Sequence, residues 1–186
     1  GMSGYLVINS RRITSLKTVT PLNSNGLPSV AVIIAVKDEE AEVEKALCSV
    51  CNLHYPNRKI IVINDRSTDN TPAILQRMAR SNPMLNVITV DTLPEGWLGK
   101  NHALYQGYRA SSEEWLLFAD ADVLFAPDAL RKAMQYVQQL QLDHLTALPE
   151  VTSKSGLFKS VMNTFALMLN VKLRPWAIAK PSSKAS

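Results

Sequence analysis

The sequence predicts an α/β domain with a mostly parallel sheet flanked by helices, and three observations carry that expectation. Short runs rich in β-branched and apolar residues recur at Val30–Val36, 60–63, 86–90 and 115–119. Between them, apolar residues repeat at helical spacing, as at Val43, Leu47, Val50 and Leu53. Strands that alternate with helices build parallel sheets rather than hairpins. The third observation is Asp120-Ala121-Asp122, directly after the run WLLFA. Two carboxylates one residue apart, at the C-terminal end of a run read as a buried parallel strand, sit where open α/β sheets bind ligands.

The elements follow in order. Residues 1–28 form an N-terminal extension that closes in the turn-rich loop PLNSNGLP. After the strand Val30–Val36 a helix is expected, with Asp38 as N-cap and Glu39 and Glu40 in its first turn, where they favour the helix dipole. Residues 60–63 are the second strand and 65–70 a polar loop. Thr71 and Pro72 read as N-cap and N1 of a helix running to about Arg80. A third strand covers 86–90, a loop with Pro94, Gly96 and Trp97 covers 93–99, and a helix spans 101–110. The strand ending at Asp120 comes next. Pro127 and Asp128 open a helix with Leu130, Met134, Val137 and Leu140 on one face, and 144–148 is a last short strand.

The length of 186 residues supports one well-buried domain, and 46% hydrophobic against 19% charged residues marks it as globular. The net charge of +4 is unevenly placed: after Glu150 there is no acidic residue, but Lys154, Lys159, Lys172, Arg174, Lys180 and Lys184 all lie there. Gly1 before Met2 reads as the remnant of tag removal, and the abrupt end after Lys180 reads as a piece of something longer. No signal peptide and no apolar stretch of membrane-spanning length is seen.

Asp65, Asp120 and Asp122 each end an expected parallel strand, which places three carboxylates on one edge of the sheet. Carboxylates there can accept hydrogen bonds from a base or ribose and hold a hard divalent cation against a diphosphate. Taken singly, each is an ordinary turn or capping aspartate. Together they point to a nucleotide site.

Four motifs in register carry a resemblance. Residues 28–40 (PSVAVIIAVKDEE), 62–71 (VINDRSTDNT), 99–104 (GKNHAL) and 118–123 (FADADV) resemble, in order and spacing, the opening strand, second signature, Gly-Lys motif and Asp-X-Asp (DxD) motif of glycosyltransferase family 2. The stretch 94–101 (PEGWLGKN) is similar to the branch acting on lipid acceptors, with ceramide-glucosyltransferase-like and hopanoid- or carotenoid-associated enzymes.

The resemblance implies a GT-A fold, incomplete at its C-terminus, and a nucleotide-diphosphate sugar as donor. It places Ala35, Lys37 and Glu39 around the base with Asp65, puts Lys100 near the donor, and gives Asp120 and Asp122 the ribose, the diphosphate and a divalent cation, Mg or Mn. Asn64 stands where the family often has aspartate, and Lys37 where an aromatic often stacks, so the nucleotide stays open. The catalytic base is expected outside this chain.

Cys48 and Cys51 fit two small buried residues on one helical face, since zinc needs four ligands and no second pair exists. His102 reads as a helix-surface residue, with a phosphate contact as the alternative. The basic, apolar segment 151–186 reads either as an interfacial helix on anionic lipid or as a helix covering the rest of the domain. It also offers a face for self-association. No aromatic–basic nucleic-acid module accompanies it.

The sequence therefore predicts a metal-dependent glycosyltransferase. Its donor-binding domain spans 29–150, and the whole is membrane-associated on the cytoplasmic face with a lipid as acceptor. This piece alone is expected to be inactive. A sugar-phosphate nucleotidyltransferase is the competing enzyme, disfavoured because 35–40 lacks a glycine-rich loop. A non-catalytic, nucleotide-binding membrane module is the third reading.

Overall fold

The computed structural model of the protein describes residues 15–19 and 26–147. By its contacts the chain divides into two compact units, residues 1–19 with 146–186, and residues 20–145. The described part of the first holds a 3-10 turn, Leu16–Thr18, in which the Thr18 hydroxyl donates to the Ser15 carbonyl at 2.8 Å.

The second unit is a four-stranded sheet with helices on both faces. Its strands are β1 (Val30–Val36), β2 (Arg58–Asp65), β3 (Leu85–Val90) and β4 (Trp115–Asp120). Its helices are α1 (Val43–Cys51), α2 (Thr71–Ser81), α3 (Gly99–Arg109) and α4 (Ala129–Leu140). The order is β3-β2-β1-β4 and every pairing is parallel. The chain steps outward from β1 to β3, then crosses back to place β4 on the other side of β1. That reversal opens a crevice at the C-terminal ends of β1 and β4, the switch point at which such sheets take ligands.

The two-residue period of the strands sorts the core. Val30, Val32, Ile34 and Val36 of β1, with Ile60 and Val62 of β2, face a layer made by Val43, Leu47 and Val50 of α1, Leu75 of α2 and Leu130, Met134 and Val137 of α4. The intervening residues Ala31, Ile33, Ile61 and Ile63 face Ala103 of α3. Each fully buried Val or Ile contributes about 1.5–3 kcal/mol, so the two central strands anchor the unit. Gly107 lets α3 sit directly on β1: a Cβ there would run into Ile33 Cγ2.

Several local expectations are corrected. Asp38 does not cap α1. It adopts φ +52° and gives its carboxylate to Thr68, so the helix starts only at Val43, and Glu39 and Glu40 lie in the preceding loop. β2 begins earlier than expected, at Arg58, whose two terminal guanidinium nitrogens donate to the carbonyls of Tyr55 and Cys51 at 2.5 and 2.6 Å. Thr71 is the first residue of α2, and Asn70 takes the N-cap position. Residues 144–147 form no strand, and Leu148 lies outside the described residues. β4 is not a fully buried strand. It is the outer strand of the described sheet, and Phe118 on it is 49% exposed. The segment 151–186 lies outside the described residues.

Candidate functional site

The C-terminal ends of the strands enclose a cleft of about 370 Å³. It is lined by Ala35, Val36, Lys37 and Glu39 after β1, Asp65 after β2, Lys100 in the first turn of α3, and Asp120, Ala121 and Asp122 after β4. Register explains the convergence. Ala35 pairs with Asp120 on one side and Ile63 on the other, and Asn64 pairs with Val36, so the three strands end level. All seven residues singled out from the sequence line this one cleft.

The walls are held by an exchange of hydrogen bonds between the β1–α1 and β2–α2 loops. Ser67 Oγ accepts from Asp38 N–H at 3.1 Å, and Asp38 Oδ1 accepts from Thr68 N–H at 2.7 Å. Thr71 Oγ1 accepts from Glu39 N–H at 2.9 Å. Asp69 takes both Glu40 N–H, at 3.0 Å, and Thr71 N–H, at 2.9 Å, while Glu40 accepts from Asn70 N–H at 2.9 Å. Partial desolvation works to raise the Asp69 pKa, but the hydrogen bonds from Thr71 and Glu40 outweigh it and hold the carboxyl below its ordinary value. The Ser-Thr-Asp run is thus a clamp that fixes Glu39 and Lys37 relative to Asp65. Its spacing is visible in the sequence, but the partners in the other loop are not.

Asp65 is buried, its side chain 4% exposed, and it is bound side-on by Arg66 through Nε at 2.8 Å and Nη2 at 3.2 Å. That carboxylate pushes the Arg66 guanidinium further up in pKa. Arg66 reaches back because its backbone takes φ +55°, while its N–H donates to the Val90 carbonyl at 3.1 Å. Sequence reasoning missed Arg66, since adjacent residues of a strand end normally diverge. Gly99 closes over the pair: a Cβ would lie 2.7 Å from both Arg66 Nη2 and Asp65 Oδ2. Opposite, Lys100 Nζ is ion-paired with Asp120 Oδ1, both side chains about 60% exposed.

Asp120 and Asp122 supply hard oxygen ligands, and among the described residues no group of three His, Cys, Asp or Glu could hold a metal by itself. Two carboxylates fit an ion that draws its remaining ligands from phosphate oxygens and water, as Mg²⁺ does at phosphoryl sites.

His102, Cys48 and Cys51 depart from expectation. His102 is buried, 7% exposed, because α3 turns it against Trp97, whose ring meets it edge-on at 5.3 Å, while its Nε2 meets the Gln106 amide at 2.9 Å. It does not line the cleft. Cys48 is exposed and Cys51 half-buried, so only part of that helical face is covered. Burial, then the nearby Cys48, pushes the Cys51 thiol up. Beside the cleft, Asn101, Leu104, Tyr105, Tyr108 and Phe118 line an apolar groove of about 320 Å³.

The sheet order and the carboxylate-lined switch-point cleft define a domain of the GT-A glycosyltransferase type. Residues 31–178 match the model of glycosyl transferase family 2, and the chain belongs to that family. It is similar to a beta-monoglucosyldiacylglycerol synthase of Nostoc sp. (36% identical over 115 residues, 61% of this chain and 24% of the relative). It is also similar to a 4,4'-diaponeurosporenoate glycosyltransferase of Staphylococcus aureus (38% over 122 residues, 66% of this chain and 30% of the relative). Among solved structures it resembles a mannosyltransferase from Pyrobaculum calidifontis in complex with GDP-Man and Mn²⁺. That match has a TM-score of 0.58 and 28% identity, over 73% of this chain and 39% of that one. S. aureus TarS shares the fold at TM-score 0.55 and 20% identity. The chain spans about a quarter to a third of the length of these two curated relatives.

Proposed function

We propose that this chain is the donor-binding part of a glycosyltransferase that moves a sugar from a nucleoside-diphosphate donor to an acceptor hydroxyl on a lipid. The observation that carries the reading is the convergence of Ala35, Lys37, Glu39, Asp65, Lys100, Asp120 and Asp122 on one cleft at the switch point. The mannosyltransferase that resembles it was solved with a nucleotide sugar and Mn²⁺, and two relatives are named for a diacylglycerol lipid and a carotenoid acid.

In this reading Asp65, buried and fixed by Arg66, accepts from the base, and Glu39 and Lys37 form the wall around it. Asp120 and Asp122 hold a divalent cation, Mg or Mn, together with the ribose and diphosphate. A bound cation stabilises the charge that develops on the leaving nucleoside diphosphate. Lys100 adds a second positive charge at that end of the cleft. The carboxylates of the cleft are all engaged in holding the donor. The base that takes the acceptor proton is assigned outside this chain on the family resemblance, in the portion of the relatives that it does not cover. Membrane association, on the cytoplasmic face and through the basic segment 151–186, belongs to the same proposal, as does self-association through that segment when lipid is absent.

The test is calorimetry with UDP and GDP, with and without Mn²⁺. Binding is expected to require the cation and to be lost in Asp122→Ala. Equal affinity of that variant and the parent in Mn²⁺ would remove Asp122 from the site.

A further inference from the structure

Two of the cleft's acidic side chains carry their own cations, and the two pairs differ in kind. Asp65 and Arg66 are short-range, bidentate and shielded, with the carboxylate 4% exposed. Asp120 and Lys100 meet through one oxygen at the open mouth, 59% and 61% exposed. Asp122, two residues on, has no ion-pair partner among the described residues. Arg66 is committed to Asp65, so the cation at the diphosphate end that can move is Lys100, a point charge on a flexible stem. An exposed pair of this type is weak and readily exchanged.

We propose that Lys100 is an exchangeable counter-ion: it occupies Asp120 while the metal is absent, and entry of a divalent cation displaces it from Asp120 onto the diphosphate of the donor. This rests on the reading of the cleft as a donor site. It assigns Lys100 two successive partners and makes cation and diphosphate binding mutually reinforcing. The cation removes Lys100 from a carboxylate, and the diphosphate gives the freed ammonium a new anion. The lining sets the carboxylates Glu39, Asp65, Asp120 and Asp122 against two lysines, Lys37 and Lys100; with Lys37 read as part of the base wall, Lys100 is the lysine left for the diphosphate, and it reaches it only when Asp120 releases it.

The consequence is a substitution with opposite effects on two ligands. Lys100→Met keeps the length of the stem and removes the charge. Mn²⁺ alone, measured by the loss of the free-ion electron paramagnetic resonance signal, is expected to bind about two- to fivefold more tightly, the range of an exposed ion pair. UDP or GDP in saturating Mn²⁺, measured by calorimetry, is expected to bind about tenfold more weakly, the loss of a charge-assisted contact. Lys100→Arg is expected to restore both toward the parent. Lys132→Met, which breaks the separate Lys132–Asp128 pair on α4, is expected to move neither. Equal thermal midpoints for the Lys100 variants establish that the fold is intact.

If the parent binds neither Mn²⁺ nor nucleotide, the donor-site reading falls and takes the exchange with it. If the parent binds both while Lys100→Met leaves Mn²⁺ affinity unchanged, or shifts both ligands the same way, the exchange alone is overturned.

Discussion

Asp65 and Arg66, neighbours in sequence, hold each other side-on, with Nε and Nη2 of the guanidinium 2.8 and 3.2 Å from Oδ1 and Oδ2, in space left open by the missing side chain of Gly99. The contact joins the end of β2 to the first turn of α3. It makes the glycine of the Gly-Lys pair a packing requirement of the cleft as well as a helix start.

Gly99→Ala is the direct probe. Its Cβ would meet Arg66 Nη2 and Asp65 Oδ2, each at 2.7 Å. The arginine tip can swing away, whereas the buried carboxylate must shift. Alanine's better helix propensity, up to about 1 kcal/mol, offsets the strain. The thermal midpoint should therefore stay close to the parent's. Nucleoside diphosphate affinity should fall by about tenfold, the scale of one perturbed charge-assisted hydrogen bond. Unchanged affinity by calorimetry would remove Asp65 from the donor site.

Gly107→Ala should behave in the opposite way. Here the new methyl faces Ile33 Cγ2, a fully buried side chain of the central strand with nowhere to go. Overpacking costs about 1–3 kcal/mol, more than the roughly 1 kcal/mol gained in helix propensity. The variant should be destabilised in urea. Nucleotide affinity, measured on the folded fraction, should be unaffected, because Gly107 lies at the far end of α3 from Lys100. A stable variant would mean that α3 does not rest on β1 as described.

The clamp between the two loops should respond to pH through Asp69. Its folded pKa lies below the ordinary value of 3.8, so its contribution to stability is complete above 3.8 and is lost as pH falls through the lower folded value. Asp69→Asn retains one acceptor of two. It should weaken nucleotide binding at neutral pH. The stability gap between parent and variant should stay constant at neutral pH and close as the medium is acidified below 3.8. A gap that persists unchanged in acid would show that the carboxylate charge is not what holds the loops.

The two thiols should separate by reactivity. Cys48 is exposed, whereas Cys51 is half-buried with its thiol pushed up by burial and by Cys48. A chromogenic disulfide reagent should modify Cys48 rapidly and Cys51 slowly, since the thiolate is the reacting species. Cys48→Ala should change stability by no more than about 0.5 kcal/mol, as for an ordinary surface position. One fast phase accounting for both thiols would contradict the assigned burial.

The order and type of the elements from β1 to α4 were legible in the sequence, because strand runs and helical spacing are local signals that neighbouring residues carry; the strand expected at 144–148 is the exception, since residues 144–147 form none. The parallel α/β class was legible for the same reason. So was the meeting of Asp65, Asp120 and Asp122 on one edge of the sheet, since a residue ending a parallel strand lies there whatever the strand order, whereas Ala35, Lys37, Glu39 and Lys100 were legible only through the family resemblance. What each of those residues touches is set by contacts that form only when the chain folds. That Asp38 leaves the helix to bind Thr68 depends on a loop 30 residues away. That Lys100 lies on Asp120 depends on β4 settling beside β1, and the burial of His102 depends on Trp97 folding over α3. β4 carries an apolar sequence and yet half-exposes Phe118, because hydrophobicity specifies that a strand is to be covered, while its place in the sheet decides by what. Periodicity acts along the chain, whereas ion pairs, clamps and burial act across it, and their partners are known only once the chain has folded.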